Sequence, residues 1–96
     1  MITKEEARTI AIDYLKYKER DYEEVLGVEK IALMSDTKIL YGERAGEMAE
    51  LYSVCYLIEW GHDFKSQFIK IDAHTGDVLY TSSSTGWLEE QEDRFS

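Results

Sequence analysis

The stretch "IDAHTGDVLY" (residues 71–80) decides the fold of this chain, because it joins two apolar runs through a short polar segment. Asp72 and Thr75 are residue types whose side chains hydrogen-bond the backbone of a turn. Gly76 supplies the positive φ that such a turn commonly requires. The stretch therefore predicts a strand, a structural turn and a second strand, which together form a corner of an antiparallel sheet.

Alternating apolar residues upstream of this corner predict further strands. The clearest is "LYSVCYLIEW" (51–60), which is rich in β-branched and aromatic residues. A tight connection at 61–63 leads into the strand 64–73, and a final short strand covers 77–82. Earlier in the chain we expect strands at 28–35 and 37–41 around a turn at 35–37, and then a loop or a single helical turn at 42–50.

An amphipathic helix precedes the strands. Thr3 and Glu6 have the spacing of a capping box, and apolar residues follow at helical spacing. They predict a helix over 4–20, which continues or frays through 21–24. One helix followed by four or five antiparallel strands is an α+β domain with two layers. We assign residues 1–82 to this single domain and 83–96 to an acidic C-terminal extension, in which "WLEEQEDRF" (87–95) is compatible with a short helix.

The charge is strongly negative, with 20 acidic and 11 basic residues and a net charge of −9. Residues 21–50 alone carry eight acidic and three basic groups. Such a surface repels phosphate backbones, so we expect no nucleic-acid partner, whereas a basic protein is attracted. Solubility alone is the simpler explanation of the charge. No apolar run reaches the length of a membrane span, no signal peptide is recognised, and Cys55 has no internal disulfide partner. These features predict a cytoplasmic protein without membrane contact.

The helix "ITKEEARTIAIDYL", the strand "YSVCYLIEW" and the ending "FIKIDAHTGDVLY" together resemble the PepSY domain and its relatives over about residues 2–80. The matching positions are Glu6, Ala7 and Ala11 in the helix and Asp72, Ala73, Thr75, Gly76, Asp77 and Val78 at the end. The resemblance implies a cystatin-like arrangement and a non-catalytic role, commonly the inhibition or regulation of peptidases. Small cystatin-like or NTF2-like immunity proteins have a similar ending.

Few residues are candidates for chemistry. Cys55 lies in mid-strand, where a buried thiol is the usual outcome. His62 and Asp63 have the character of a hairpin tip. Asp72, His74 and Asp77 offer only a partial shell for a cation. We therefore expect no catalytic residue, no metal and no cofactor, and we expect the protein not to be an enzyme.

Two features are candidates for partner binding. One is the aromatic row Tyr52, Tyr56 and Trp60, which either faces the helix as core or joins Tyr41 and Phe68 in an exposed patch, with Leu51, Leu57, Ile69 and Ile71 as the competing core set. The other is an acidic rim that includes Glu43, Glu47 and Glu50. The sequence predicts a small binding or regulatory module, and its apolar sheet faces are compatible with a homodimer. The alternatives are an immunity protein against a basic toxin and an NTF2-like binder of a small ligand.

Overall fold

The computed structural model describes residues 1–19, 22–40, 42–83 and 88–90, with residues 60 and 88–90 described through their backbone. In this part of the chain one α-helix packs against an antiparallel sheet of four long and two short strands. The prediction of an α+β domain, with one N-terminal helix on an antiparallel sheet, is confirmed.

Helix α1 spans Lys4–Tyr17 and begins at the predicted capping box. The Thr3 hydroxyl accepts a hydrogen bond from the Glu6 N–H (3.1 Å), and the Glu6 carboxylate accepts one from the Thr3 N–H (2.9 Å). The helix ends before the predicted Arg20, because Glu19 adopts a left-handed backbone (φ 53°) that cannot continue it. No helix within the described ranges is long and apolar enough to cross a membrane.

Strand β3 (Met48–Trp60) is the centre of the sheet. The strands are β1 (Glu24–Val25), β2 (Ala32–Lys38), β3 (Met48–Trp60), β4 (Asp63–Asp72), β5 (Val78–Ser83) and β6 (Leu88–Glu90). β1 and β2 pair with one edge of β3, and β4, β5 and β6 follow in order from its other edge. β3 and β4 form a long hairpin that closes at the Trp60–Asp63 pair, next to Gly61 with φ 65°.

The region before β3 differs from the prediction. Residues 24 and 25 form strand β1 where the helix was expected to continue or fray, and Val28–Lys30 form a short 3-10 helix where a strand was expected. The predicted turn at 35–37 is a bulge inside β2, where the register shifts between Met34 and Thr37 and Asp36 takes φ 48°. A bulge absorbs an extra residue without ending the strand, so two predicted strands are one. The loop at 42–50 ends earlier than expected, since β3 begins at Met48.

The main core lies between α1 and the sheet. Its members on the helix are the buried residues of α1, and those on the sheet come from alternate positions of β3 and β4. They include Ala7, Ala11, Tyr14, Leu15, Tyr52, Val54, Tyr56, Ile69 and Ile71. The corner turn also touches the helix, because a Cβ at Gly76 would lie 3.2 Å from Ile10 Cδ1.

A second, smaller cluster lies on the outer face, which is the side of the sheet away from α1. It contains Ile39, Leu51, Leu79 and Tyr80, with Met34 and Ala49 packed against it. The connection 39–47 covers this cluster closely, because a Cβ at Gly42 would lie 3.0 Å from the Leu79 carbonyl oxygen. The competing core set is therefore split: Leu51 is on the outer face, while Ile69 and Ile71 face the helix.

Part of the predicted C-terminal extension belongs to the sheet. Leu88–Glu90 form β6, whose register places Leu88 opposite Ser82 and Glu90 opposite Tyr80 on β5. The expectation of a short helix is wrong for these three residues, because their backbone pairs with the edge of β5, which would otherwise carry unpaired polar groups. The remainder of that predicted helix lies outside the described residues.

Candidate functional site

The turn at 72–77, at the corner end of the sheet, is held by hydrogen bonds from backbone N–H groups, two of which end on the carboxylate of Asp72. Asp72 Oδ1 accepts the N–H groups of His74 (2.8 Å) and Thr75 (3.1 Å). The Gly76 N–H donates to the Asp72 carbonyl (2.9 Å), and Gly76 has φ 80°. Thr75 Oγ1 accepts the N–H of Asp77 (3.2 Å). Asp72, Thr75 and Gly76 therefore have the structural geometry that the sequence predicts for a turn.

Arg44 completes this turn from the connection 39–47. Its Nη1 donates to Asp72 Oδ2 at 2.7 Å, and this bond raises the pKa of Arg44. Burial of Asp72, which is 4% exposed, by itself raises the pKa of its carboxyl. The hydrogen bonds from Arg44, His74 and Thr75 together outweigh burial, so the pKa of Asp72 lies below its ordinary value. Asp72 is thus an ionised structural group whose oxygens are occupied.

The predicted acidic rim lies at the same corner end, and its charges are partly neutralised within the chain. Glu47 Oε1 pairs with Arg44 Nε at 3.1 Å. Glu50 Oε1 is 2.7 Å from His74 Nε2. Glu43 is exposed and also has an interaction within the chain. Glu47 and Glu50 are thus engaged within the corner, and the pairing of Glu47 with Arg44 lowers the charge that the rim offers a partner.

Two residues of the predicted aromatic row lie in the core, and the side chain of the third is not described. Tyr52 and Tyr56 are 4% and 1% exposed and face α1. Their hydroxyl groups donate to the Ile2 carbonyl (2.9 Å) and to Gln67 Oε1 (2.7 Å). The prediction of an exposed patch is wrong for these two tyrosines, because the helix covers their side chains. The side chain of Trp60 and the whole of Tyr41 lie outside the described residues.

Phe68 lies on the opposite face from the two tyrosines, in a patch that the sequence did not predict as a unit. The register pairs Phe68 with Cys55 and Phe64 with Glu59, so these side chains and Leu57 project from the outer face. Leu57 and Phe68 are half-buried, and Phe64 is 62% exposed. We name Leu57, Phe64 and Phe68 the outer patch. It lies toward the tip of the β3–β4 hairpin at residues 61–62, which we call the hairpin end, and away from the connection 39–47.

An open groove lies at the same end of the sheet and reaches its helix side, because Tyr22 and Ile58 of its lining pack against the main core. It has a volume of about 570 Å³ and is lined by Tyr22, Glu23, Ile58, Glu59 and Gly61. Glu23 and Glu59, the two acidic residues in its described lining, are exposed, and neither forms an ion pair within the described part of the chain. Carboxylates next to an aromatic ring and an aliphatic side chain suit the ammonium or guanidinium group of a partner.

The remaining candidates for chemistry are separated or buried. Cys55 is buried, and burial raises the pKa of its thiol. His62 and Asp63 are exposed at the tip of the β3–β4 hairpin. His74 and Asp72 have the partners given above. Within the described ranges, no three His, Cys, Asp or Glu side chains are grouped to hold a metal ion.

Comparison with family models, with curated proteins and with solved structures finds no match to this chain. The resemblance to the PepSY domain therefore stays a prediction, carried by the motif residues quoted above.

Sequence reasoning missed the outer patch and the groove for identifiable reasons. Phe64 was assigned to a strand, and only the cross-strand register places it diagonally from Leu57. Glu23 immediately precedes β1, a two-residue strand too short to give a periodic signal. The available signal was the tight connection predicted at 61–63; the structure shortens it to a two-residue turn, which fixes the register of the hairpin.

Proposed function

We propose that this chain is a small, non-catalytic binding module that docks on a basic protein partner through the hairpin end of its sheet. The observation that carries the proposal is the exposure of Phe64, at 62%, beside the half-buried Leu57 and Phe68. Large aromatic side chains are enriched at protein interfaces and contribute much of the binding free energy there.

The charge of the hairpin end favours a basic partner. Glu59 lies opposite Phe64 on the outer face, and Glu23 lines the groove at the same end of the sheet. Neither carboxylate is neutralised by an ion pair within the described residues. The net charge of −9 attracts a basic surface from a distance and speeds association. An arginine or lysine of the partner would occupy the groove while an apolar side chain covers Phe64.

The resemblance to the PepSY domain suggests what such docking does. When the partner is a peptidase, the bound module lowers its activity by covering part of its surface. We place this activity in the cytoplasm, in keeping with the single free cysteine.

An immunity protein that neutralises a basic toxin is the second candidate function, favoured by the net charge of −9. Its binding would depend more on charge and less on the outer patch. An NTF2-like binder of a small ligand would need an enclosed cavity, whereas the groove at the hairpin end is open to solvent.

The test compares two exposed apolar residues at opposite ends of the hairpin. Phe64 is at the proposed site, and Met48, which is 60% exposed, is at the start of β3. The tagged protein and its Phe64→Ala and Met48→Ala variants are used for capture from a lysate of the source organism, with quantitative mass spectrometry. A captured protein is then purified and its Kd is measured. We expect Phe64→Ala to raise Kd about 10- to 100-fold and Met48→Ala to leave it within about threefold.

Two further measurements separate the alternatives. Glu59→Gln should weaken the same complex and reduce its dependence on salt, since one negative charge beside Phe64 is removed. A partner that is lost at high salt but binds Phe64→Ala normally would favour the immunity function over docking through the outer patch. Sedimentation of the protein alone tests the homodimer: dimers that dissociate in Phe64→Ala would make a second copy, and not another protein, the occupant of the patch.

A further inference from the structure

Strand β2 forms an open edge of the sheet. Within the described ranges it pairs with β3 on one side and with no strand on the other. Five of its seven residues are exposed, and the apolar Leu33 keeps 40% of its surface in contact with solvent. An edge strand presents backbone N–H and C=O groups with which a further strand can pair. The exposed edge of β2 is therefore a surface to which another strand can be added.

The backbone of Leu33 points to this open edge. The Cys55 and Leu57 carbonyls accept hydrogen bonds from the segment that precedes β2, so the odd-numbered positions of β3 face this side of the strand. Ala32 and Met34 pair with two of these odd-numbered positions. Those two residues therefore bond to β3, and the N–H and C=O of Leu33, which lies between them, point away from it.

The two halves of β2 differ in how well they are protected as an edge. In the second half the register shifts, Asp36 adopts φ 48°, and Lys38 is exposed. Bulges and charged side chains of this kind keep an edge from pairing with another strand. The first half, residues 32–34, is apolar and pairs with β3 without a bulge. Addition of a strand is therefore confined to the first half.

We propose that the occupant of this edge is a second copy of the same chain, paired antiparallel through residues 31–35 about a two-fold axis at Leu33. In this register the Leu33 N–H of each copy donates to the Leu33 carbonyl of the other. Leu33 lies opposite Tyr52, which faces α1, so both leucine side chains are on the helix side of the joined sheet. There they lie directly across from one another and cover part of each other's exposed surface.

The charges along this edge suit a second copy better than a basic partner. The exposed charged residues within and next to β2 are two acids and two bases, namely Glu29, Lys30, Asp36 and Lys38. The edge is locally neutral, so it neither attracts a basic strand nor repels an identical one. Lys30 and Asp36 lie three residues before and after Leu33, so the two-fold axis brings Lys30 of each copy near Asp36 of the other. Opposite charges that face each other on paired strands stabilise the pairing.

This inference does not depend on the proposed docking at the hairpin end. β2 pairs with β3 between positions 48 and 53, whereas the hairpin end is at residues 61–62. Antiparallel joining points the two hairpin ends in opposite directions along the sheet. The outer patch of each copy therefore stays free, and the two surfaces can be tested separately.

The test is sedimentation velocity of the full chain over a concentration series from low micromolar to millimolar. We expect a reversible monomer–dimer equilibrium. Leu33→Pro removes the N–H that points to the open edge, and proline is tolerated at such a position of an edge strand. We expect it to raise the Kd of the dimer at least about tenfold, because two hydrogen bonds between the copies are lost. Far-UV circular dichroism checks that the variant keeps its fold. A wild-type chain that is monomeric throughout, or a folded Leu33→Pro variant that dimerises normally, would overturn the proposal.

A matched pair of charge reversals tests the register. Lys30→Glu places a carboxylate near Asp36 of the second copy, and Lys4→Glu changes the net charge equally at the start of α1. We expect the first to raise the dimer Kd about 5- to 30-fold and the second to leave it within about threefold. Adding Asp36→Asn to Lys30→Glu should restore most of the affinity, since asparagine also tolerates a left-handed backbone. Equal effects of the two reversals would refute this arrangement, and so would dimers that Phe64→Ala weakens and Leu33→Pro does not.

Discussion

Two glycines in the connection 39–47 have almost the same backbone conformation but different surroundings. Gly42 has φ 94° and Gly46 has φ 96°. A Cβ at Gly42 would lie 3.0 Å from the Leu79 carbonyl oxygen, whereas a Cβ at Gly46 would meet no atom within 4 Å. Alanine at either position therefore introduces the same backbone strain, and only alanine at Gly42 meets the sheet.

The expected costs follow from these two effects. Holding an alanine at positive φ costs about 1–3 kcal/mol in the free energy of unfolding, and we expect this loss in Gly46→Ala. Gly42→Ala should lose about 1–2 kcal/mol more, because the backbone must shift by some tenths of an ångström from a packed carbonyl. The second cluster, with Ile39 and Leu79, would be disturbed by that shift.

Urea unfolding, followed by far-UV circular dichroism, measures the difference between the two variants. With a denaturant slope of about 1–2 kcal/mol/M for a chain of this size, the midpoint of Gly42→Ala should lie roughly 0.5–2 M below that of Gly46→Ala. Equal midpoints would show that the connection 39–47 does not rest on the outer face, and the assignment of the second cluster would be wrong.

Two other substitutions test the corner turn and the main core. Asp72→Asn should cost about 1.5–3 kcal/mol at pH 7, because the ion pair with Arg44 is lost. The folded-state pKa of Asp72 is lowered, so its stabilisation is present above the ordinary aspartate pKa of about 3.9 and is lost as the pH falls through the folded-state pKa. Urea unfolding should therefore show that the free energy of unfolding of Asp72→Asn differs less from that of the wild type at pH 3 than at pH 7. A difference that is the same at both pH values would contradict this cause. Ala11→Leu should cost about 1–3 kcal/mol, because a fully buried alanine leaves no room for a larger side chain, whereas Lys16→Leu on the exposed side of α1 should change the thermal midpoint little; equal shifts would refute close helix–sheet packing.

The parts of the fold that the sequence predicts are those with strong local signals. The capping box at Thr3 and Glu6 fixes the start of α1 within one residue, and the "IDAHTGDVLY" corner is a turn held by Asp72. The hairpin of β3 and β4 follows from alternation and the tight connection predicted at 61–63, although the structure begins β4 one residue earlier, at Asp63. Each of these features depends on residues close together in sequence.

The features that escaped prediction depend on distant partners. β1 exists because its backbone pairs with Tyr56 and Leu57, and nothing in its two residues indicates a strand. A left-handed residue within β2 looks like a turn in the sequence until β3 pairs on both sides of it. The charge of the predicted acidic rim was overestimated for the same reason. In the sequence Glu47 and Glu50 have no visible partners, whereas in the structure Arg44 and His74 lie beside them.

The attachment of the N-terminus to the corner turn has a consequence for synthesis of the protein. Ile2 donates its N–H to the Ala73 carbonyl (2.8 Å), and its own carbonyl accepts the Tyr52 hydroxyl (2.9 Å). Ile69 and Ile71, which complete the core under α1, are translated more than 50 residues after the helix ends at Tyr17. At about 5–20 residues per second, roughly 3–11 seconds pass between translation of Tyr17 and of Ile71. The apolar stripe of α1 therefore has no complete sheet to cover it during this interval.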